Sequence, residues 1–490
     1  LIGTHAHAAS RMRRASSTAL AFVATLAVVD AYPRTDGSAA PLLQHQPELS
    51  SPSSLDVPSP TPPKAALGAI DQASCARWKG KGGDDTRAGH SVSYSGPSQL
   101  DKPAWTFATG SNNYQSPVVD CSGSVYTAIS NGMVTKLSID GEVLWSVSIF
   151  AGHLATPALD YDAAGKLVVY ITPLIGSRAF GLDASNGNVL LNVTYGSASV
   201  NLDGWSVGAA AGVLVASGRA ADATLLKKNM ATSSIFVLDA STGAKLWSFS
   251  DFEGVASLEG SGPYNFMPVV AVDDTPGPSL MYETSNGAVV KHDLRTGAVL
   301  WQIASPSEES MTTAGCAMTS AEAQGRTLVC VSTLALLDTG LIRAIDVADG
   351  SILWQTHTEL GGEAGPAIAD GRVYVGLLGF KQKLTPGHKG TMTALNVSTG
   401  EILWQTQTHA NPSIGSASCV PDTFNNAAVG ADGTVYFGWW GGHVYALDGA
   451  TGSKLSSFAT GSGIQGGPAI GDGVVYFQTC DNLYAFRTSS

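Results

Sequence analysis

The sequence predicts an all-β chain: an eight-bladed β-propeller with four-stranded blades, closed into a ring by its own N-terminal strand. Three observations predict it. One short stretch of text recurs along the chain, its copies lie roughly 50 residues apart, and the two ends of the array are incomplete in complementary ways. A period of that length, filled with strand-forming residues, matches one propeller blade.

The recurring text is clearest at Asp239-Ala-Ser-Thr-Gly-Ala-Lys-Leu-Trp247. Asp239 to Gly243 reads as a tight turn, because Asp, Ser and Thr side chains bond their own backbone and Gly supplies positive φ. Ala244 to Phe249 reads as a strand ending on a bulky anchor, and Ile235–Leu238 as the strand entering the turn. The unit is a hairpin. Near copies are Asp293–Trp301, Asp346–Trp354 and Asn396–Trp404; worn copies are Asp140–Trp145, Asp183–Leu191 and Asp448–Ser456.

Ahead of each turn come a small-residue strand suited to the crowded axis, such as Gly365-Pro-Ala-Ile-Ala369 or Gly467-Pro-Ala-Ile-Gly471, and a strand such as Gly371-Arg-Val-Tyr374 or Gly473-Val-Val-Tyr476. The last unit, through Asn482–Phe486, lacks a Trp strand, whereas Pro103-Ala-Trp105-Thr-Phe107 is a Trp strand with no hairpin before it. Pairing these two open edges completes the eighth blade and removes an aggregation-prone edge. The anchor positions are then Trp105, Trp145, Leu191, Trp247, Trp301, Trp354, Trp404 and Ser456. Seven blades is the alternative, should the short 105–145 unit fail to form.

Of 490 residues, 44% are hydrophobic and 13% charged, which provides for a large core, and 56 glycines suit many tight turns. The formal net charge of −12 argues against nucleic acid or an anionic membrane surface as partner. Residue 1 is Leu, so Met12 is taken as the start, followed by the basic Arg13-Arg14, the apolar run Ala19–Val29 and the small-residue site Val29-Asp-Ala31. That run falls short of the roughly 20 residues that span a bilayer. Residues 1–31 are therefore expected to be a leader, with an uncleaved anchor as the alternative. Residues 32–64 are a Pro/Ser-rich disordered linker, 65–100 a lead-in segment around Trp78, and 101–490 the propeller. A secreted or secretory-lumen location follows.

In that setting six cysteines imply disulfides. Cys316 and Cys330 are near enough in sequence to bridge one hairpin. Asn192-Val-Thr194 and Asn396-Val-Ser398 fit the glycosylation acceptor pattern.

The repeated Tyr/Ala-Leu-Asp-x-x-Thr-Gly-x-x-Leu-Trp text, as in Val444-Tyr-Ala-Leu-Asp448-Gly-Ala-Thr-Gly452, resembles the pyrroloquinoline-quinone (PQQ)-type β-propeller family over about residues 100–487. The resemblance implies an eight-bladed ring in which outer-strand Trp residues staple neighbouring blades: here Trp105, Trp145, Trp247, Trp301, Trp354 and Trp404. It implies one of two functions. Some members are quinone-dependent alcohol and sugar dehydrogenases, with PQQ beside Ca²⁺ in the central funnel; others are cofactor-free binding scaffolds, including a bacterial outer-membrane assembly lipoprotein. Neither the adjacent-cysteine pair of methanol-type members nor a lipobox cysteine after the leader is found here. Kinship of fold does not assign chemistry.

Candidate chemistry lies in loops around the channel mouth. His153, His357 and His409 follow closely after anchor positions. Glu359 and Glu363 are placed in one loop with His357, giving a candidate base and its orienting carboxylate. Trp439-Trp440 can stack a planar quinone or a sugar ring, or pack against the next blade. Lys381, Lys383, His388 and Lys389 offer an anion contact or a solvated face. The long insertions 217–234, with Lys227-Lys228, and 251–266 exceed what a blade needs. Asp251, Glu253, Glu259, Glu308 and Glu309 supply oxygens, but no calcium-loop spacing groups them.

The function expected is a binding or interaction module, with a protein, small molecule or glycan at the central funnel and no metal site. The alternatives are a PQQ- and calcium-dependent alcohol or polyol dehydrogenase, and a carbohydrate-binding propeller.

Overall fold

The computed structural model describes residues 78–488 except 111–112, 130, 150–151, 174–175, 197–205, 220–232, 250–266, 308–309, 320–324, 335–338, 379–384 and 411–423. The leader, the linker, Lys227-Lys228, Lys381, Lys383 and the five acidic residues from Asp251 to Glu309 named above lie outside the described residues.

Eight four-stranded antiparallel sheets form the ring. In blades 1 to 7 the strands follow in chain order from the axis outward. Blade 8 is built from Ala469–Gly471, Val474–Gln478 and Asn482–Arg487, and its outermost strand is Trp105–Ala108. Trp105 pairs with Ala485 and Ala108 with Asn482. The inner strands of blades 8 and 1, Ala469–Gly471 and Val118–Val119, lie against each other and complete the circle.

The repeated text folds as its chemistry dictates. At Asp239, one carboxylate oxygen accepts the backbone N–H groups of Ser241 (3.0 Å) and Thr242 (2.8 Å) together with both hydroxyls. Gly243, at φ +71°, returns its N–H to the Asp239 carbonyl at 2.8 Å. Burial alone would push the Asp239 carboxyl up; the hydrogen bonds outweigh it and hold the carboxyl below its usual range. In all seven of these hairpins the pairing register shifts just before the turn. One extra residue there lets the glycine close the turn.

Each Trp joins two blades. The indole N–H of Trp105 donates to the Ile139 carbonyl at 2.9 Å, Trp145 to Ala184 at 3.1 Å, and Trp247 to Leu294 at 2.9 Å. Trp301 donates to Val347 at 3.0 Å, Trp354 to Val397 at 2.7 Å, and Trp404 to Gly449 at 3.0 Å. The acceptor is always in the turn of the next blade, and that turn's glycine lies flat on the ring. A Cβ on Gly297 would sit 2.7 Å from Trp247, and one on Gly350 2.9 Å from Trp301. Leu191 replaces Trp in blade 2 and is buried among blade 3 residues such as Val207 and Leu214.

The lead-in from 78 to 100 contains no named helix or strand, and it crosses the ring. Trp78 exchanges backbone hydrogen bonds with Val119 of blade 1 (3.0 and 2.9 Å). The carbonyls of Lys79, Asp85, Thr86, Ala88 and Gly89 accept from Leu159, Val270, Met318, Ile368 and Val429, which belong to the inner strands of blades 2, 4, 5, 6 and 7. Blade 3 is reached by a side chain: the buried Arg87 guanidinium donates to Val207 (3.3 Å), and also to Pro268 (2.9 Å) and Lys81 (2.6 Å). A stretch this short that touches the innermost edges of seven blades must lie across the axis. It meets the middle and far ends of the inner strands, on the side of the ring that carries the Asp-x-x-Thr-Gly turns. The opposite face bears the connections between blades and the loops between middle strands.

Candidate functional site

The face opposite the lead-in is floored by neutral polar side chains at the starts of the inner strands. Asn425 donates to the Gly466 carbonyl (2.8 Å), Gly467 N–H to the Ser116 hydroxyl (2.7 Å), and Ser116 N–H to the Thr156 hydroxyl (3.0 Å). These bonds stitch blades 7, 8, 1 and 2 together. The groups are mutually satisfied, as buried polar atoms must be. Nearby, Tyr114 and His153 stack at 6.4 Å between blades 1 and 2. Burial pushes the His153 imidazole below its usual range.

Between blades 4 and 5 sits a buried charge pair. The Glu283 carboxylate faces Arg343 at 3.1 Å and accepts from Ser332 at 2.5 Å; Thr312 lies 3.5 Å away. Arg343 also donates to the Gly287 carbonyl, and its Nε has no partner among the described residues. Burial outweighs the pairing and pushes the Glu283 carboxyl up to about 7. The repeat text gave no warning of this pair, because both residues fall in strand positions the motif leaves open.

The predicted site residues do not converge. His357 is the penultimate residue of the outer strand Ile352–Thr358 of blade 5, exposed to solvent rather than in a loop. Glu359, the first residue after that strand, is exposed, and Glu363 is buried ahead of the blade 6 inner strand. Trp439 and Trp440 are buried in the core of blades 6 and 7 with Phe424, Phe437 and Tyr445, so neither offers a free ring face. The packing alternative describes them. Asn192 is exposed on the outer strand of blade 2 and accepts from Arg178 at 2.6 Å. Asn396 is half-buried and takes the Asp position of a turn, accepting from Ser398 and Thr399.

His409, by contrast, meets partners that sequence spacing does not announce. It lies near the end of the outer strand Ile402–Ala410 of blade 6 and stacks on His443 of blade 7, ring centres 4.3 Å apart and planes 15° apart. The Tyr445 hydroxyl accepts the His409 backbone N–H (2.9 Å) and bonds its ring Nδ1 at 2.8 Å. Burial, then charge coupling to His443, Lys454 and Lys389, pushes the His409 imidazole down.

A calcium and quinone site requires converging oxygens and a flat exposed ring. Among the described residues, the one group of three that could hold a metal is Glu283 with Cys316 and Cys330. Those cysteines form a disulfide across neighbouring strands of blade 5, Cα–Cα 4.1 Å, so their sulfurs are not free ligands. Glu283 is itself engaged by Arg343 and Ser332. The described residues therefore do not fit the pair of groups that the dehydrogenases carry. Cys121 and Cys480 are also disulfide-bonded. No helix among the described residues is long and apolar enough to cross a membrane.

Comparison with known proteins returns one family, described as outer membrane protein assembly factor BamB, which matches residues 99–256, 338–415 and 388–489. No curated protein matches the chain. Among solved structures, BamB from Moraxella catarrhalis is similar at TM-score 0.53 and 16% identity, covering 79% of this chain and 98% of its own. Quinohemoprotein alcohol dehydrogenase from Comamonas testosteroni is similar at 0.62 and 14%, covering 84% and 80%. Quinohemoprotein alcohol dehydrogenase ADHIIG from Pseudomonas putida HK5 gives 0.62 and 12%, covering 85% and 81%. Identities this low establish the fold alone. The family match spans more than half of the chain and falls on the repeats whose turns and tryptophans build the ring: the chain belongs to the PQQ-like β-propeller family.

Proposed function

We propose that the protein is a secreted or secretory-lumen binding module: a rigid ring that presents the loops of one face to a protein partner. The observation that carries this reading is the segment from Trp78 to Gly89, laid across the inner strands of seven blades. A channel filled from one side by the chain's own backbone suits a scaffold. The dispersal of His357, Glu359, Glu363, Trp439 and Trp440 supports the same reading, since acid–base catalysis needs such groups within hydrogen-bond reach of one another. The disulfide Cys316–Cys330 and the bonded Cys121 and Cys480 support an oxidising compartment. The matching family's description as an assembly factor supports a protein as partner. Loops on a rigid scaffold are where such contacts concentrate.

Titration of the folded chain with PQQ and Ca²⁺, followed by absorbance and calorimetry, tests this. No saturable binding is expected. Calcium-dependent binding near one PQQ per chain would overturn the module and establish the dehydrogenase alternative.

A further inference from the structure

Three elements from different parts of the chain meet at the seam between blades 6 and 7. His409 is on the outer strand Ile402–Ala410, Lys389 begins the neighbouring strand Lys389–Asn396, and His443 begins the blade 7 strand His443–Asp448. Lys389 is paired with Ala410, the residue after His409, and its charge acts on the His409 imidazole. Lys454, on the outer strand of blade 7, adds its charge to the same imidazole. Among the described residues, the charged groups acting on His409 are His443, Lys454 and Lys389, and none is a carboxylate. His409, Lys389 and Lys454 are exposed, as is His388 next to Lys389. On a chain of net charge −12, a basic cluster of this kind is out of character.

The stacking is fixed from beneath. Tyr445 holds His409 by two bonds, and the His443 Nδ1 lies 3.1 Å from the Gly441 carbonyl, to which it donates. Both imidazoles are thus held in place by neutral groups, and among the described residues no carboxylate bonds either ring. Among the described strands, the one that carries His409 is also the edge of its sheet, paired on the Lys389 side. An extended peptide can add its backbone along such an edge while alternate side chains reach one flank.

We propose that this seam is a docking site for an acidic segment of a partner protein, whose Asp and Glu carboxylates are taken by Lys389, Lys454, His409 and His443. The proposal deepens the reading as a binding module and rests on it. Carboxylates supply a counter-charge to the stacked pair, so docking tightens as pH falls and His409 takes up a proton. It weakens with salt, as exposed charge pairing must.

Fluorescence anisotropy of a labelled deca-glutamate peptide against the full chain, at low salt and at pH 7.5 and 5.5, tests it. Saturable binding is expected, about fivefold tighter at pH 5.5, and weakened about tenfold in the double variant Lys389→Ala/Lys454→Ala. Both lysines are exposed, so the variant should keep its fold, as circular dichroism will show. His409→Gln/His443→Gln should remove the pH dependence and leave the lysine contribution. Absence of saturable binding at both pH values, or equal binding by the lysine double variant, overturns the site. Binding of a heparin oligosaccharide at these residues, with none of the peptide, overturns the partner class. The PQQ titration is read separately: a peptide failure without quinone uptake leaves the binding module standing, and quinone uptake removes it whatever the peptide does.

Discussion

The Ser456 hydroxyl donates to the Ser98 carbonyl at 2.7 Å and accepts the Leu100 backbone N–H at 2.9 Å. Ser456 stands where the blade 7 anchor Trp would be. A Trp there would need the turn of the following blade, but the outer strand of blade 8 arrives from the N-terminus, so that turn does not exist. The lead-in backbone takes its place. Ser456→Ala should cost about 1–2 kcal/mol through two lost bonds. Ser456→Trp should cost about 1–3 kcal/mol by overpacking against residues 98–100. Urea denaturation of both variants reads the difference.

The Trp–glycine contact between blades is a two-sided joint. Trp301→Phe keeps the ring and loses the bond to Val347, about 1 kcal/mol; Trp301→Ala should cost about 2–4 kcal/mol. Gly350→Ala should cost about 1–3 kcal/mol, because φ is +77° and the new Cβ would meet the indole. The double variant Trp301→Ala/Gly350→Ala should fall short of the sum, which a double-mutant cycle measures.

The turn carboxylate acts through one oxygen, and Asn396 already fills that role in blade 6 with bonds to Ser398 (2.8 Å) and Thr399 (3.1 Å). Asp239→Asn should therefore be near neutral at pH 7. Asp239→Ala should cost about 1–2 kcal/mol. Thermal melts of the two variants distinguish an acceptor from a charge.

Glu283 gives stability a pH dependence of definite sign. Its carboxyl is raised in the folded ring to about 7, from 4.5 when solvated. Folding therefore favours the protonated form, and this contribution is full below about pH 4.5 and lost as pH rises through about 7. Glu283→Gln should flatten that limb of the stability profile between those values. A variant whose profile keeps the wild-type slope there would show that Arg343 holds Glu283 ionised throughout.

Cys316 and Cys330 close a loop of sequence separation 14 within one hairpin. Cys316→Ser/Cys330→Ser should cost about 3 kcal/mol by loop-closure entropy. The hairpin register, with Cys316 facing Cys330, should survive in the variant. Guanidinium unfolding with and without reductant checks both statements.

Most of the ring was legible because its joints are written locally. Asp239 to Trp247 contains a turn, a glycine and an anchor, and each requires the others, so the text repeats wherever the joint does. Ring closure was legible for a related reason: Trp105 is an anchor without a hairpin, and Asn482–Arg487 a hairpin half without an anchor. What escaped was everything whose partners are remote and unrepeated. Residues 78–91 follow no period, since each backbone group answers to a different blade. Arg87 bonds Pro268 and Val207, far away in sequence, and nothing near it announces either. His409 and His443 meet only because the outer strand of one blade lies on the third strand of the next. His357 was placed with Glu363 in one loop by nearness in sequence, yet the strand runs on through Thr358 and turns His357 outward.

The pairing of Trp105 with Ala485 also sets a timetable for synthesis. The strand that leaves the ribosome first among the blades must wait unpaired until the last strand has emerged, while seven hairpin units form behind it. Its apolar edge and the lead-in that crosses the axis are meanwhile exposed, so a nascent chain interrupted before Asn482 would be an open arc with two sticky ends. Cellular quality control would meet this protein mainly in that unfinished form, and chaperone dependence should concentrate in the interval between synthesis of the first anchor and release of the last strand.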